Sequence, residues 1–236
     1  MTHLDIFSGI GGMKLAAEWN GYTTTQFVER DPYCKAVLRK HWPDIPIHDH
    51  AETYKHDGVT DLVTAGVPCA PVSHCGNMQG DSDSRWMWDH AVRIIGEARP
   101  RYAIMENPTG LLYVHGGREF GRILSDLHSI GFCVWWETVG SHAVGAPHLR
   151  KRLWIVAANT QRSERRQESH RREVGRVGRH DESLPWNEPW ASALCRLRGV
   201  DDGSGYTSHR VDTIRNSVTP QLVSLLIRSL HSDPGE

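Results

Sequence analysis

The chain lacks any long apolar run, and no hydrophobic stretch with a cleavage site opens it, so neither a membrane-spanning helix nor a secretory leader is expected. It also lacks a CxxC pair and any Cys/His cluster of zinc-finger spacing; its five cysteines stand alone at positions 34, 69, 75, 133 and 195. No metal site is expected from that pattern. An odd number of scattered thiols points to a reducing compartment, and the chain reads as cytoplasmic. There is little net charge either: the formal value of −1 leaves no global footprint for a polyanion, so contact with nucleic acid would have to come from a local patch. No internal repeat is visible. What remains is an ordinary globular composition, 39% hydrophobic and 23% charged, long enough at 236 residues for one domain with a small appendage.

Through the first two thirds, short β-rich runs alternate with helical patterns, the form of a doubly wound, mostly parallel α/β sheet. Strands are expected at Leu4–Phe7, Thr24–Glu29, Asp61–Ala65, Arg101–Glu106, Phe132–Val139 and Leu153–Ala157. A helix is expected after Gly11-Gly12 to near Gly21. A second should start at Asp31, a capping residue followed by Pro32, and run to about Trp42. Others are expected over Asp89–Ala98, Phe120–Ile130 and Pro220–His231. The clear break in composition lies between Gln161 and Glu182, where seven arginines face five acids with almost no apolar residue between them. This stretch reads as a small irregular region that contacts a polyanion or, equally, as a solvated linker. The divisions are therefore 1–158 as the α/β core, 159–205 as the irregular region, and 206–236 as a segment and helix returning to the core.

Several segments carry residues suited to chemistry. Asp5-Ile6-Phe7-Ser8-Gly9-Ile10-Gly11-Gly12 places a Gly-rich turn between a strand and a helix, where backbone N–H groups and a helix N-terminus can approach a ligand. A dinucleotide site or simple tight packing would use the same turn. Glu29 ends the second strand about 20 residues on, where an acid can accept both ribose hydroxyls of a nucleoside. Asp49 is suited to accept from an exocyclic amine or, equally, to form a turn. Gly66-Val67-Pro68-Cys69-Ala70-Pro71 follows a buried strand, and its prolines stiffen a loop that presents one thiol. Cys34 and Cys133, by contrast, sit in patterns that suit small buried hydrophobes. Met105-Glu106-Asn107-Pro108 ends another strand in an acid, and Arg150-Lys151-Arg152 precedes the last strong strand.

Taken in order, these segments resemble the C5-cytosine DNA methyltransferase family. Asp5–Gly12 resembles its cofactor-loop motif, Pro68-Cys69 its nucleophile loop, Glu106-Asn107 its Glu-Asn pair, Arg150 and Arg152 its Arg-x-Arg motif, and Asn216-Ser217-Val218 with Pro220 the segment that closes the cofactor site. Ala70, Val72, Pro108 and Arg215 depart from the residues usual there. The resemblance implies an S-adenosylmethionine-dependent enzyme acting on double-stranded DNA as a monomer. Its cofactor contacts would come from Phe7, Ser8, Gly9, Gly11, Gly12, Glu29, Asp49, Pro68, Asn216 and Ser217. It further implies Cys69 as the nucleophile toward C6 of a flipped-out cytosine, Glu106 at N3 and the exocyclic amine, Arg152 on the O2 side, and Arg150 supporting the loop or the nucleotide backbone. The recognition region would be reduced, with residues 159–205 available for it. A methyltransferase for tRNA or free deoxycytidine nucleotide, and a non-catalytic DNA-binding module, are the competing expectations.

Overall fold

The computed structural model describes residues 1–68, 86–146, 150–162 and 217–231. Among them the strands are β1 (Thr2–Ile6), β2 (Thr23–Val28), β3 (Ile47–His48), β4 (Leu62–Gly66), β5 (Tyr102–Asn107), β6 (Phe132–Gly140) and β7 (Lys151–Asn159). The helices are α1 (Gly12–Trp19), α2 (Pro32–His41), α3 (Trp88–Ala98), α4 (Arg118–Ser129) and α5 (Pro220–His231). They match the expected segments within a few residues; β3, two residues long, is too short to show a sequence period. At α2 the expected cap is present: the Asp31 carboxylate accepts from the Cys34 amide at 2.9 Å, and Pro32 occupies the first turn.

The sheet order is β3-β2-β1-β4-β5-β7-β6. Strands β3 to β5 pair in parallel, whereas β7 runs antiparallel to both β5 and β6. The order reverses between β1 and β4, and in open α/β sheets the crevice beyond the carboxyl ends at such a reversal is where ligands bind. The turn after β1 and the Pro68 segment after β4 meet there.

Both faces of the sheet are covered, so its central strands are buried on both sides. Alternation sends Leu4, Ile6, Val63, Ala65 and Met105 to the face packed by α3 and α4. It sends Leu62, Tyr102 and Ile104 to the face packed by α1 and α5. Polar clasps fix α5 there: Ser141 to Thr219 at 2.7 Å, Asn20 to Ser224 at 2.9 Å, and the Tyr22 hydroxyl to His231 Nε2 at 2.8 Å. Burial, with minor help from Asp61, pushes the Tyr22 phenol up to about 12, so this hydroxyl stays a donor. Cys34 is buried as expected, but Cys133 is only half-buried, because β6 lies at the edge of the sheet.

Candidate active site

The turn after β1 bends through three left-handed residues, Phe7 (φ 53), Gly9 (φ 54) and Gly11 (φ 86). Phe7 has a Cβ and holds this conformation at a steric cost, which the surrounding bonds must offset. The Ser8 hydroxyl donates to the Asp5 carbonyl at 2.7 Å, the Ser8 amide to Val28 at 3.3 Å, and the Gly11 amide back to Ser8 at 3.0 Å. Glu29 completes the clamp. One of its oxygens accepts from the Gly9 amide at 2.7 Å and the other from the Asp31 amide at 2.8 Å. Burial raises the Glu29 carboxyl above the usual carboxylate range, and these amides pull it part of the way back. The Arg30 amide also bonds this carboxylate, so of its roughly four lone-pair sites one stays open to a ligand hydroxyl.

A cavity of about 210 Å³ opens beside this turn. Its walls include Phe7, Ser8, Gly9, Gly12, Glu29, Asp49, Pro68, Glu106 and Ser217, so it gathers residues from six separate segments of the chain. Complete small-molecule pockets hold about 300–1,000 Å³, so these walls enclose part of one. Cys69 and Asn216, the chain neighbours of Pro68 and Ser217, lie outside the described residues. Asp49 stands on the exposed wall with Oδ1 2.8 Å from Lys35 Nζ, and that bond holds its carboxyl below the usual range. An amine donor would share the carboxylate with Lys35.

The two glycines expected at the cofactor turn differ in what they permit. A Cβ on Gly11 would meet the Trp42 ring at 2.4 Å, so Gly11 makes room for α2's terminal indole and is absent from the cavity wall. A Cβ on Gly12 would meet Val218 Cγ2 at 2.8 Å; this glycine lets the segment before α5 close against the turn.

At the other end of the cavity, Glu106 is 7% exposed and faces two guanidiniums. Its Oε1 accepts from Arg152 Nε at 2.8 Å and from Arg150 Nη2 at 3.3 Å. Burial raises the carboxyl, and both arginines oppose the shift without cancelling it. Strand polarity explains the cluster. Because β7 runs antiparallel to β5, Glu106 is paired with Trp154, and the start of β7 lies at the edge where β5 ends. Arg150, expected to support a loop or a nucleotide backbone, here bonds Glu106 alongside Arg152. Next in the chain, Asn107 is fully buried and its Nδ2 donates to the Val67 carbonyl at 3.0 Å.

The family model for C-5 cytosine-specific DNA methylase matches residues 1–187. The chain belongs to this family. The type II methyltransferase M2.BsuMI of Bacillus subtilis is 31% identical over 163 residues, covering 67% of this chain and 42% of the relative. M.NgoMIV of Neisseria gonorrhoeae is 30% identical over 162 residues, 66% of this chain and 51% of its own. The chain thus spans about half the length of these family members or less. Among solved structures, Spodoptera frugiperda DNMT2 superposes with a TM-score of 0.56 at 20% identity, over 73% of this chain and 53% of that one. S. pombe Dnmt2 gives 0.54 at 18%, over 67% and 51%. Both show the same fold.

Within this family member, Ile10, Met13, Arg30, Ala51, Glu52 and Met87 also line the cavity, and sequence reading did not pick them out. Arg30 follows Glu29 directly and Ile10 lies inside the turn, so adjacency was the available signal. Met87 and Ala51 carried none. Among the described residues, no helix is long and apolar enough to cross a membrane.

Proposed function

We propose that the protein is an S-adenosylmethionine-dependent DNA (cytosine-5) methyltransferase. The observation that carries this reading is Glu106, buried against Arg150 and Arg152, in one cavity with Glu29 and with Pro68, the residue before Cys69. The cavity fits the cofactor chemically: Glu29 offers an acceptor to a ribose, and Gly9 and Gly12 present backbone without a side chain to the cavity. When bound, S-adenosylmethionine supplies an electrophilic methyl group.

Carbon 5 of cytosine is too weak a nucleophile unless the ring is first activated at C6. In this reading the Cys69 thiolate adds to C6, forming a carbon–sulfur bond and pushing the ring's electron pair toward C5. Glu106, carrying its proton, donates to N3 and accepts from the exocyclic amine, so charge arriving on the ring is neutralised where it develops. Arg152 supports the O2 side and orients Glu106 through its own bond to it. After C5 is methylated, its proton leaves to water and Cys69 departs, which restores the ring. The base must be turned out of the duplex, since C6 of a stacked pair is out of reach. Phe7, Ser8, Gly9, Glu29, Asp49, Pro68, Asn216 and Ser217 would hold the cofactor, and residues 159–205 would contact DNA.

The test combines tritiated S-adenosylmethionine with duplex DNA, tRNA and dCMP as acceptors. Label on duplex DNA, lost in Cys69→Ser, supports the reading, and 5-fluorocytosine duplex should trap a covalent complex with the wild type alone. Label on tRNA or dCMP would move the activity to the second reading. That reading is favoured by one observation: only residues 160–219 separate β7 from α5, leaving little chain for recognition of a duplex sequence. Neutralising Arg165, Arg166, Arg171 and Arg172, which lie outside the described residues, should flatten the salt dependence of DNA binding if this stretch contacts phosphates.

A further inference from the structure

Four polar side chains form a line through the middle of the sheet, where apolar residues are the rule. His3 of β1 is fully buried; its Nδ1 lies 2.8 Å from Thr24 Oγ1 on β2, and its Nε2 lies 2.8 Å from Thr64 Oγ1 on β4. Thr64 Oγ1 is in turn 2.8 Å from Asp5 Oδ1, two residues along β1 and on the same face as His3. The register places His3 opposite Thr24 and Asp5 opposite Thr64. Asp5 and Thr64 are likewise fully buried, and Asp5 Oδ2 makes no hydrogen bond among the described residues. The proposed reaction uses neither His3 nor Thr24. Asp5 lies directly beneath the cofactor turn, its carbonyl holding the Ser8 hydroxyl. It also lies near the start of α1, which has no side-chain cap and no acid in its first turn.

Each hydroxyl has one hydrogen to give, and a neutral imidazole has one, so the line admits two consistent arrangements. With Asp5 ionised, Thr64 donates to Asp5, His3 Nε2–H donates to Thr64, and Thr24 donates to His3 Nδ1. With a proton on Asp5 Oδ1, every bond reverses: Asp5 donates to Thr64, Thr64 to His3 Nε2, and His3 Nδ1–H to Thr24. Both arrangements keep all three bonds of the line; in the first every hydrogen is paired within it, and in the second the Thr24 hydroxyl hydrogen is released from it.

We propose that Asp5 is a positioning residue for the cofactor turn, and that gain or loss of its proton reverses the whole line, switching His3 between its Nδ1–H and Nε2–H tautomers. The part concerning the cofactor rests on the function proposed above; the tautomer switch does not.

The groups facing Asp5 set where the switch operates. Burial pushes its carboxyl up to about 8, the Glu29 carboxylate at the end of β2 adds to this, and the Thr64 hydroxyl and Lys14 amide oppose it. The Lys14 ammonium on α1 pairs with Glu18 and stands 4.6 Å over the Trp42 ring. Burial, aided by Lys14, lowers His3 to about 3, so the imidazole stays neutral and cannot take the proton itself. Asp5 is therefore neutral near pH 7, and the line reverses as pH rises through about 8.

Nitrogen-15 spectra of the histidine rings in the full-length protein, recorded from about pH 6 to about pH 10 without cofactor, test the switch. The His3 signal is identified by its loss in His3→Gln. It should change from the Nδ1–H to the Nε2–H pattern with a midpoint near 8. The Asp5→Asn protein should hold one tautomer at every pH. Should that variant not fold, Thr64→Val, which cuts the line between Asp5 and His3, must abolish the change. A single pH-independent tautomer in the wild type overturns the proposal, as does a switch that survives either substitution. For the positioning role, Asp5→Ala should raise the KM for S-adenosylmethionine roughly tenfold with kcat little altered, and Asp5→Asn should restore it. An unchanged KM in a folded Asp5→Ala protein removes that role. If no acceptor is methylated at all, the function proposed above fails while the spectra still decide the switch.

Discussion

The side-chain amide of Asn107 donates to the main-chain carbonyl of Val67 across 3.0 Å, so the last residue of β5 holds the chain two residues before Cys69. Both partners are buried, and truncating the amide strands the carbonyl. Asn107→Ala should therefore lower stability by about 1–2 kcal/mol, partly offset because Oδ1 of Asn107, which makes no hydrogen bond among the described residues, disappears with it. Methyl transfer should fall further, by at least tenfold, because small misplacements of a reacting group cost about a hundredfold. Thermal melting and single-turnover rates measured on the same preparation separate the two effects. A rate within twofold of wild type would show that this bond does not seat the nucleophile.

Glu29 holds Gly9 and Asp31, and in the proposed function it also accepts from the cofactor. Glu29→Ala should weaken S-adenosylhomocysteine binding by about 1.5–3 kcal/mol, roughly ten- to a hundredfold by calorimetry. Its effect on pH dependence also has a definite sign. Burial raises this carboxyl in the folded protein, so the folded state takes up the proton more readily than the unfolded chain, and its contribution to stability falls as pH rises through the folded-state value. Ligand affinity runs the other way, improving as the carboxylate forms. Unchanged affinity in a folded Glu29→Ala protein would place the ribose elsewhere.

The neighbouring glycines should fail differently. In Gly11→Ala the new methyl meets the Trp42 ring at 2.4 Å on a backbone with φ of 86°, so the variant should lose about 1–3 kcal/mol of stability. Gly12→Ala meets Val218 Cγ2 at 2.8 Å and the Val218 carbonyl at 3.3 Å, on a backbone without the positive φ of Gly11. It should melt closer to wild type and lose cofactor affinity instead, since Val218 lines the cavity. Equal melting losses with equal affinities would mean that the two positions do the same work.

Glu106 sets a pH limit of its own. If its neutral form donates to cytosine N3, kcat should fall as pH rises through its raised value. Arg150 is one of two charges pulling that value down, so Arg150→Ala should move the alkaline limb of the rate profile to higher pH. A limb that moves to lower pH would mean that the charged form of Glu106 is the active one.

Sequence reading located the segments of this cavity that carry a local signal, a Gly-rich turn, an acid at a strand end, a proline before a cysteine, and missed Ala51 and Met87, which carry none. The central strands and α2 were legible for the same reason, since short β-rich runs and an Asp-Pro cap are properties of neighbouring residues. Tertiary structure alone decided what those residues meet. A period of two reads the same in either direction, so nothing in Lys151–Asn159 announces that β7 runs backwards; yet that reversal sets Arg150 and Arg152 on Glu106. Gly11 looks like its neighbour Gly12 until Trp42 is seen packed against it. Asp49 looks available until Lys35 arrives from α2. Thr24 and Thr64 are far in the chain from His3 and Asp5, and register across three strands joins them. Local chemistry is written along the chain, whereas partnership depends on strand polarity and register, which are settled when the whole sheet buries both its faces.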